Sequence, residues 1–91
     1  MKFIKTNLSG LYVLENEVFK DKRGFFLETF RSEIYTRKKI NVNFVQENHS
    51  RSKKNTLRGL HFQKNKSQCQ LVTVIRGKIY DVVVDIRKKS K

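Results

Sequence analysis

The sequence predicts an all-β chain, an antiparallel sandwich or jelly roll with one short helix near Ser32–Lys39. Three observations carry that expectation. Short apolar runs recur at roughly the dozen-residue spacing of an all-β domain, separated by basic or glycine-containing turns. Within the runs, apolar and polar residues alternate with the period of two that a half-buried strand needs. Only one segment carries a helix-start signal, and alternating strand and helix units are absent.

Leu11–Leu14 and Val18–Phe19 are the first apolar runs, and Asp21-Lys22-Arg23-Gly24 then supplies turn chemistry before Phe25–Phe30. The predicted element is a β-hairpin. Ser32 can cap a helix through about Lys39, because Glu33 falls in its first turn and the cations Arg37, Lys38 and Lys39 fall in its last. From Val42 onward the pattern is β again. Strands are expected near Asn43–Ser50, Thr56–Gln63, Gln68–Ile75 and Lys78–Ile86.

Ninety-one residues with no proline and no linker-like stretch make at most one small domain, 1–91. Hydrophobic residues at 37% and aromatics at 11% exclude a disordered polymer despite 32% charged residues. Met1–Asn7 breaks its apolar run at Lys5, so neither a signal peptide nor a membrane span is expected, and the default compartment is the cytoplasm. Cys69 is the single cysteine, without an internal disulfide partner. His49 and His61 lie on separate predicted strands with no third ligand near, so no metal site is expected.

The formal charge of +13, from 21 Lys and Arg against 8 acids, raises the question of nucleic acid. The cations are spread over Lys20–Arg23, Arg37–Lys39, Arg51–Lys54, Lys64–Lys66 and Arg87–Lys91, mostly at turns and ends. That distribution suits solvated loops better than one groove-tracking stripe, and a nucleic-acid partner is not expected.

The chemistry-bearing residues cluster in three strands. Alternation along Phe44–His49 puts Gln46 and Asn48 on one face, two amides that suggest a polar pocket, with Glu47 on the other. In Leu57-Arg58-Gly59-Leu60-His61, a bulge at Gly59 would bring Arg58 and His61 to one side, facing a cleft. Asp81 lies on the face opposite the apolar row of the last strand. Taken singly, each of these is more often an ordinary strand side chain than a functional one.

Together they resemble one family. Val18-Phe19 with Asp21-Lys22-Arg23-Gly24-Phe25-Phe26-Leu27-Glu28-Thr29-Phe30, Asn43-Phe44-Val45-Gln46-Glu47-Asn48-His49-Ser50-Arg51-Ser52, Leu57-Arg58-Gly59-Leu60-His61-Phe62-Gln63 and Val74-Ile75-Arg76-Gly77 with Asp81-Val82-Val83-Val84-Asp85-Ile86-Arg87 stand in the order and at the spacing of the dTDP-4-dehydrorhamnose 3,5-epimerases. The resemblance implies a cupin-like jelly roll (double-stranded β-helix), of which this chain would be a truncated, N-terminal part. It implies a cytoplasmic, cofactor-free isomerase that acts on a dTDP-4-keto-6-deoxy sugar nucleotide. The enzyme would be a homodimer by strand exchange. The C4 ketone of such a sugar acidifies the hydrogens at C3 and C5, so a base can remove each proton before reprotonation on the other face. Imidazole as a class titrates near pH 6.5, roughly where such a base must work.

By the resemblance, the base is the histidine of Arg-Gly-Leu-His, here His61. Arg23, Glu28, Gln46, Glu47, Asn48 and Arg58 would bind the sugar nucleotide, the arginines suiting phosphate oxygens. One departure stands out. Where the family has a lysine just before Leu-Val, a cation for the developing enolate, this chain has Gln70, and Asp81 loses the partner that lysine would be. The family's tyrosine acid and the aspartate that orients the histidine would belong to the part beyond residue 91. Two other readings compete: a noncatalytic remnant that associates through open strand edges, and a basic nucleic-acid-binding module, which explains the charge but not the ordered motifs.

Overall fold

The computed structural model describes residues 1–64 and 68–87. Its regular structure is all-β apart from one short helix, as the sequence predicts in outline. Strand β1, Lys2–Lys5, pairs antiparallel with β2, Tyr12–Glu15, with Phe3 opposite Leu14 and Ile4 opposite Val13. β1 is not visible to a periodicity argument, because its two apolar residues lie between lysines. Its loop is closed by Thr6, whose hydroxyl accepts from the Leu8 N–H at 3.2 Å and donates to the Leu11 carbonyl at 2.9 Å.

The predicted hairpin is present as β3, Val18–Asp21, paired with β4, Gly24–Leu27. Asp21 faces Gly24 across a two-residue loop, Lys22-Arg23. The Asp21 carboxylate accepts the Arg23 N–H at 2.8 Å, the local bond through which aspartate favours turns. Phe25 and Phe26, adjacent on β4, point to opposite faces and both stay exposed.

Helix α1 runs Ser32–Arg37, shorter than the expected Ser32–Lys39. Ser32 does not cap it. The extended residue before the helix is Arg31, whose carbonyl accepts from Ile34 N–H at 3.1 Å and whose guanidinium is tethered to Glu28. The stop has a clear cause: Lys39 takes a left-handed conformation, φ 60°. Lys39 N–H then donates to the Thr36 carbonyl and Ile40 N–H to the Tyr35 carbonyl, each at 3.0 Å. This pair of bonds is the Schellman closure of a helix end, with lysine in the place glycine favours.

The core is aromatic and small. Tyr35, 5% exposed, has ring centroids of Phe3 at 5.1 Å, Phe30 at 5.0 Å and Phe44 at 6.0 Å around it, in tilted or edge-to-face contacts. Such pairs contribute about 0.5–1.5 kcal/mol each beyond area burial. The core thus joins β1, α1 and the segment that follows α1. Burial pushes the Tyr35 phenol above its ordinary pKa, and the nearby Cys69 adds to the shift. The Tyr35 hydroxyl is buried without a hydrogen-bond partner.

The four strands expected after Val42 are not formed among the described residues. The segments Asn43–Ser50, Thr56–Gln63, Gln68–Ile75 and Lys78–Ile86 carry no strand pairing, and between the second and the third lie 65–67, outside the described residues. Alternation specifies which face of a strand should be buried, not what covers it. A strand exists only as a pair, with a packed face. Here the apolar side chains are uncovered, Leu57 at 91% and Tyr80 at 94% exposure. One long-range tie returns the end of the described chain to the β1–β2 loop: Arg87 Nη2 donates to the Ser9 carbonyl at 2.8 Å while pairing with Asp85 at 2.6 Å.

Candidate functional site

Two candidate residues sit on the ordered hairpin. Arg23, at its turn, pairs with Asp21 at 2.7 Å, and this bond, aided by the Arg23 N–H, holds the Asp21 carboxyl below its ordinary pKa. The Arg23 side chain is otherwise in solvent, so an anion approaching it competes only with an exposed carboxylate. Glu28 follows β4 directly. Its Oε2 accepts from Arg31 Nε at 3.1 Å and Nη2 at 2.8 Å, a forked bond that fixes the carboxylate at the entrance to α1.

The other candidates lie beyond the aromatic core. The Gln46 amide donates to the Asn48 side-chain oxygen at 3.3 Å, so the two lie on one side of the chain, with Glu47 exposed between them. Arg58 Nε donates to Ser52 Oγ at 2.7 Å. Between those two residues a tight turn is closed by Thr56 N–H on the Lys53 carbonyl at 3.2 Å, with Asn55 left-handed at φ 68°. Asparagine tolerates that conformation better than most residues.

Gly59 next to Arg58 has φ 107°, where an L side chain is strained. It does not act as a strand bulge, since no strand is present to be bulged. It bends the chain so that the His61 Nδ1 lies 3.8 Å from the place a Cβ would occupy. The His61 imidazole is exposed, and among the described residues no hydrogen bond or ion pair joins it to Arg58 or to another candidate. Gln70 donates to the Gln68 side-chain oxygen at 3.3 Å, and Asp81 is exposed.

The candidates therefore form local pairs and not one assembled pocket. Two shallow clefts, of about 150 and 300 Å³, are lined by the β1–β2 loop and by Met1, Lys2 and Glu15–Glu17, and no candidate residue borders either. Cys69 is a free, exposed thiol. Among the described residues no three His, Cys, Asp or Glu side chains group as metal ligands, and no helix is long and apolar enough to cross a membrane.

What the local pairs leave open, similarity to known proteins decides. The profile of the family described as dTDP-4-dehydrorhamnose 3,5-epimerase matches residues 5–91, a span that holds every candidate residue. The chain belongs to this family. A dTDP-4-dehydrorhamnose 3,5-epimerase of Methanothermobacter thermautotrophicus is 53% identical over 89 residues, which is 98% of this chain and 48% of the relative. Those of Salmonella typhimurium and Escherichia coli are 50% and 47% identical, each over 99% of this chain and 50% of the relative. The chain thus spans about half the length of the epimerases it matches. No solved structure gives a significant match.

Within this epimerase-family chain, sequence reasoning missed the partners that hold the candidates. Arg31 for Glu28 follows at i+3, a spacing that only becomes a contact once the chain turns into α1. Ser52 for Arg58 lies six residues away; the signal for it was the Lys53-Lys54-Asn55-Thr56 turn, which reads as a basic run before it reads as a turn.

Proposed function

We propose that this chain supplies the catalytic base and the nucleotide-binding residues of a dTDP-4-dehydrorhamnose 3,5-epimerase. The observation that carries the reading is the family match over residues 5–91, with Arg58-Gly59-Leu60-His61 inside it. His61 takes the protons from C3 and C5 of dTDP-4-keto-6-deoxyglucose, one in each epimerisation. Each removal turns the C4 ketone into an enolate, with the double bond to the carbon that lost its proton and the negative charge on the C4 oxygen, and a proton returns to that carbon from the opposite face as the ketone reforms. Arg23 and Arg58 bind the diphosphate, and Glu28, Gln46, Glu47 and Asn48 bind the sugar nucleotide. Gln70 faces the enolate oxygen as a neutral amide, and Asp81 stands near it. No cofactor takes part. The chemistry belongs to a cytoplasmic homodimer formed by strand exchange.

The fold that completes this site is the cupin-like jelly roll, in which the alternating segments after Val42 become paired strands. The exposure of Leu57, Phe62, Ile75 and Tyr80 supports that reading, because these are the residues a second layer would cover. The same exposure favours a second reading for the 91 residues alone, that they associate without catalysing.

Deuterium uptake at C3 and C5 of dTDP-4-keto-6-deoxyglucose tests the proposal. The chain alone gives at most trace exchange, since among the described residues no hydrogen bond orients the exposed His61 and Gln70 offers no charge; losing one good oxyanion donor typically costs roughly 10²–10³ in rate. His61→Asn removes that trace. Exchange on the order of 1–10³ per second would refute the incomplete site, and trace exchange unchanged in His61→Asn would refute the base.

A further inference from the structure

We infer that Ser52 is a positioning residue for Arg58, one that aims the guanidinium at a diphosphate; the inference rests on the proposed reading of Arg58 as a diphosphate contact. Five of the seven arginines are held by another side chain among the described residues, in two different ways. Arg23, Arg31, Arg37 and Arg87 each pair with a carboxylate two to four residues away, namely Asp21, Glu28, Glu33 and Asp85. Arg58 is held by a neutral hydroxyl instead, Nε to Ser52 Oγ at 2.7 Å. Its direction is constrained, and among the described residues no carboxylate pairs with its charge.

The geometry suits a phosphate group. A guanidinium presents five N–H donors in a planar fork, and the bond to Ser52 uses the one on Nε. The two terminal nitrogens remain, with parallel N–H groups spaced to take two oxygens of one phosphate. The turn that brings Ser52 to Arg58 is built for the purpose by Asn55 at φ 68° and by the Thr56–Lys53 backbone bond at 3.2 Å. From Arg51 to Arg58 the chain carries Arg51, Lys53, Lys54 and Arg58 and no acid, so nothing local competes with an incoming anion.

The test is binding to the full chain, measured by calorimetry with dTDP and with thymidine at fixed salt, for wild type, Ser52→Ala, Ser52→Thr and Arg58→Ala. Ser52→Ala is expected to weaken dTDP roughly two- to tenfold, the worth of one net hydrogen bond. Ser52→Thr keeps the hydroxyl and restores wild-type affinity, and thymidine, which lacks phosphate, is unaffected by either change. By nitrogen NMR the Arg58 Nε–H exchanges with water faster in Ser52→Ala than in wild type. If Ser52→Ala binds dTDP like wild type while Arg58→Ala binds weakly, the role of Ser52 is wrong and that of Arg58 stands. Loss of thymidine affinity in parallel, an unchanged Nε–H exchange rate or failure of threonine to rescue also overturns the positioning role. If wild type and Arg58→Ala bind dTDP equally, or wild type binds none, the reading of Arg58 itself fails and the inference goes with it.

Discussion

Residues 1–44 and residues 45–87 are made of similar material and behave differently. The first region pairs its strands, closes its helix with a Schellman turn and buries Tyr35 among Phe3, Phe30 and Phe44. The second holds Arg58 and His61, leaves most of its large apolar side chains uncovered, and among the described residues its hydrogen bonds join near neighbours, apart from the Arg87–Ser9 tie. Contact range accounts for the contrast. The hairpins close over two to six residues and the aromatic cluster over about forty, whereas the later segments need a packed layer that no local turn can supply. The proposed catalytic base thus lies where the chain has least packing of its own, and the candidates Arg23 and Glu28 lie in the region that has most.

The largest expected effect comes from removing the centre of the first region. Tyr35→Ala should cost about 3–5 kcal/mol, the usual range for an aromatic core truncation, and most small domains have little more than that to lose. Near-ultraviolet circular dichroism should collapse, and hydrogen exchange at β1 and β2 should accelerate. If residues 45–87 lose protection in the same experiment, the two regions are one cooperative unit and the comparison fails.

Lys39→Gly acts in the opposite direction. A lysine at φ 60° carries a left-handed penalty of roughly 1–2 kcal/mol that glycine does not. Set against the greater chain entropy of glycine in the unfolded state, the net gain should be about 0.5–1 kcal/mol, visible as a raised Tm of the first region. A lowered Tm would show that the Schellman closure is not maintained in solution.

Tyr35 also sharpens the comparison through pH. Its phenol is raised above the ordinary value of about 10 by burial first and by Cys69 second. The native state therefore keeps its proton where the unfolded chain has lost it, so this contribution is complete below about pH 10 and is lost as pH rises above that and through the native value. Because the lysines also titrate there, the control is Tyr35→Phe. Phenylalanine keeps the ring, removes a buried hydroxyl that has no partner and should show a smaller alkaline loss at equal or higher stability. An identical alkaline profile would mean that the hydroxyl is solvated.

What could be read from the sequence divides along the same line. The β3–β4 hairpin was legible because its information is local, an Asp-x-x-Gly turn between apolar runs. Helix α1 was legible in place, but its limits were not: the cap fell to Arg31 because Glu28 tethers it, and the end to Lys39 because Ile40 closes on Tyr35. The strands after Val42 were legible as patterns only, since alternation encodes a buried face without encoding its cover. Gln46 and Asn48 share one side as alternation requires, whereas the bulge expected at Gly59 is absent, because Gly59 lies in a segment that is not in a sheet.

Acid should act weakly on the first region. The Asp21 carboxyl is held below its ordinary value by the Arg23 side chain first and its backbone N–H second. The sign is that of a depressed acid: the contribution is present above the ordinary value of about 3.9 and is lost as pH falls below it, through the native value. The group is fully exposed, so the effect is a small drift in the chemical shifts of β3 and β4, absent in Asp21→Asn. A sharp acid unfolding that Asp21→Asn abolishes would mean that this turn governs the whole region.

The smallest expected effect is the most direct test of the second region. Tyr80 is 94% exposed, and its ring makes no aromatic contact among the described residues. Tyr80→Ser should therefore leave the stability of the chain within about 0.5 kcal/mol of wild type, as surface substitutions do. The physical reason is that a side chain already in water has no transfer free energy to lose. The same substitution should reduce any association of the chain with other polypeptide, because there the tyrosine would move from water into an interface. Stability is read from thermal unfolding at low concentration, and association from sedimentation at high concentration. If Tyr80→Ser destabilises the dilute monomer by more than about 1 kcal/mol, on the scale of a buried residue, then residues 45–87 pack on their own in solution and the contrast between the two regions disappears.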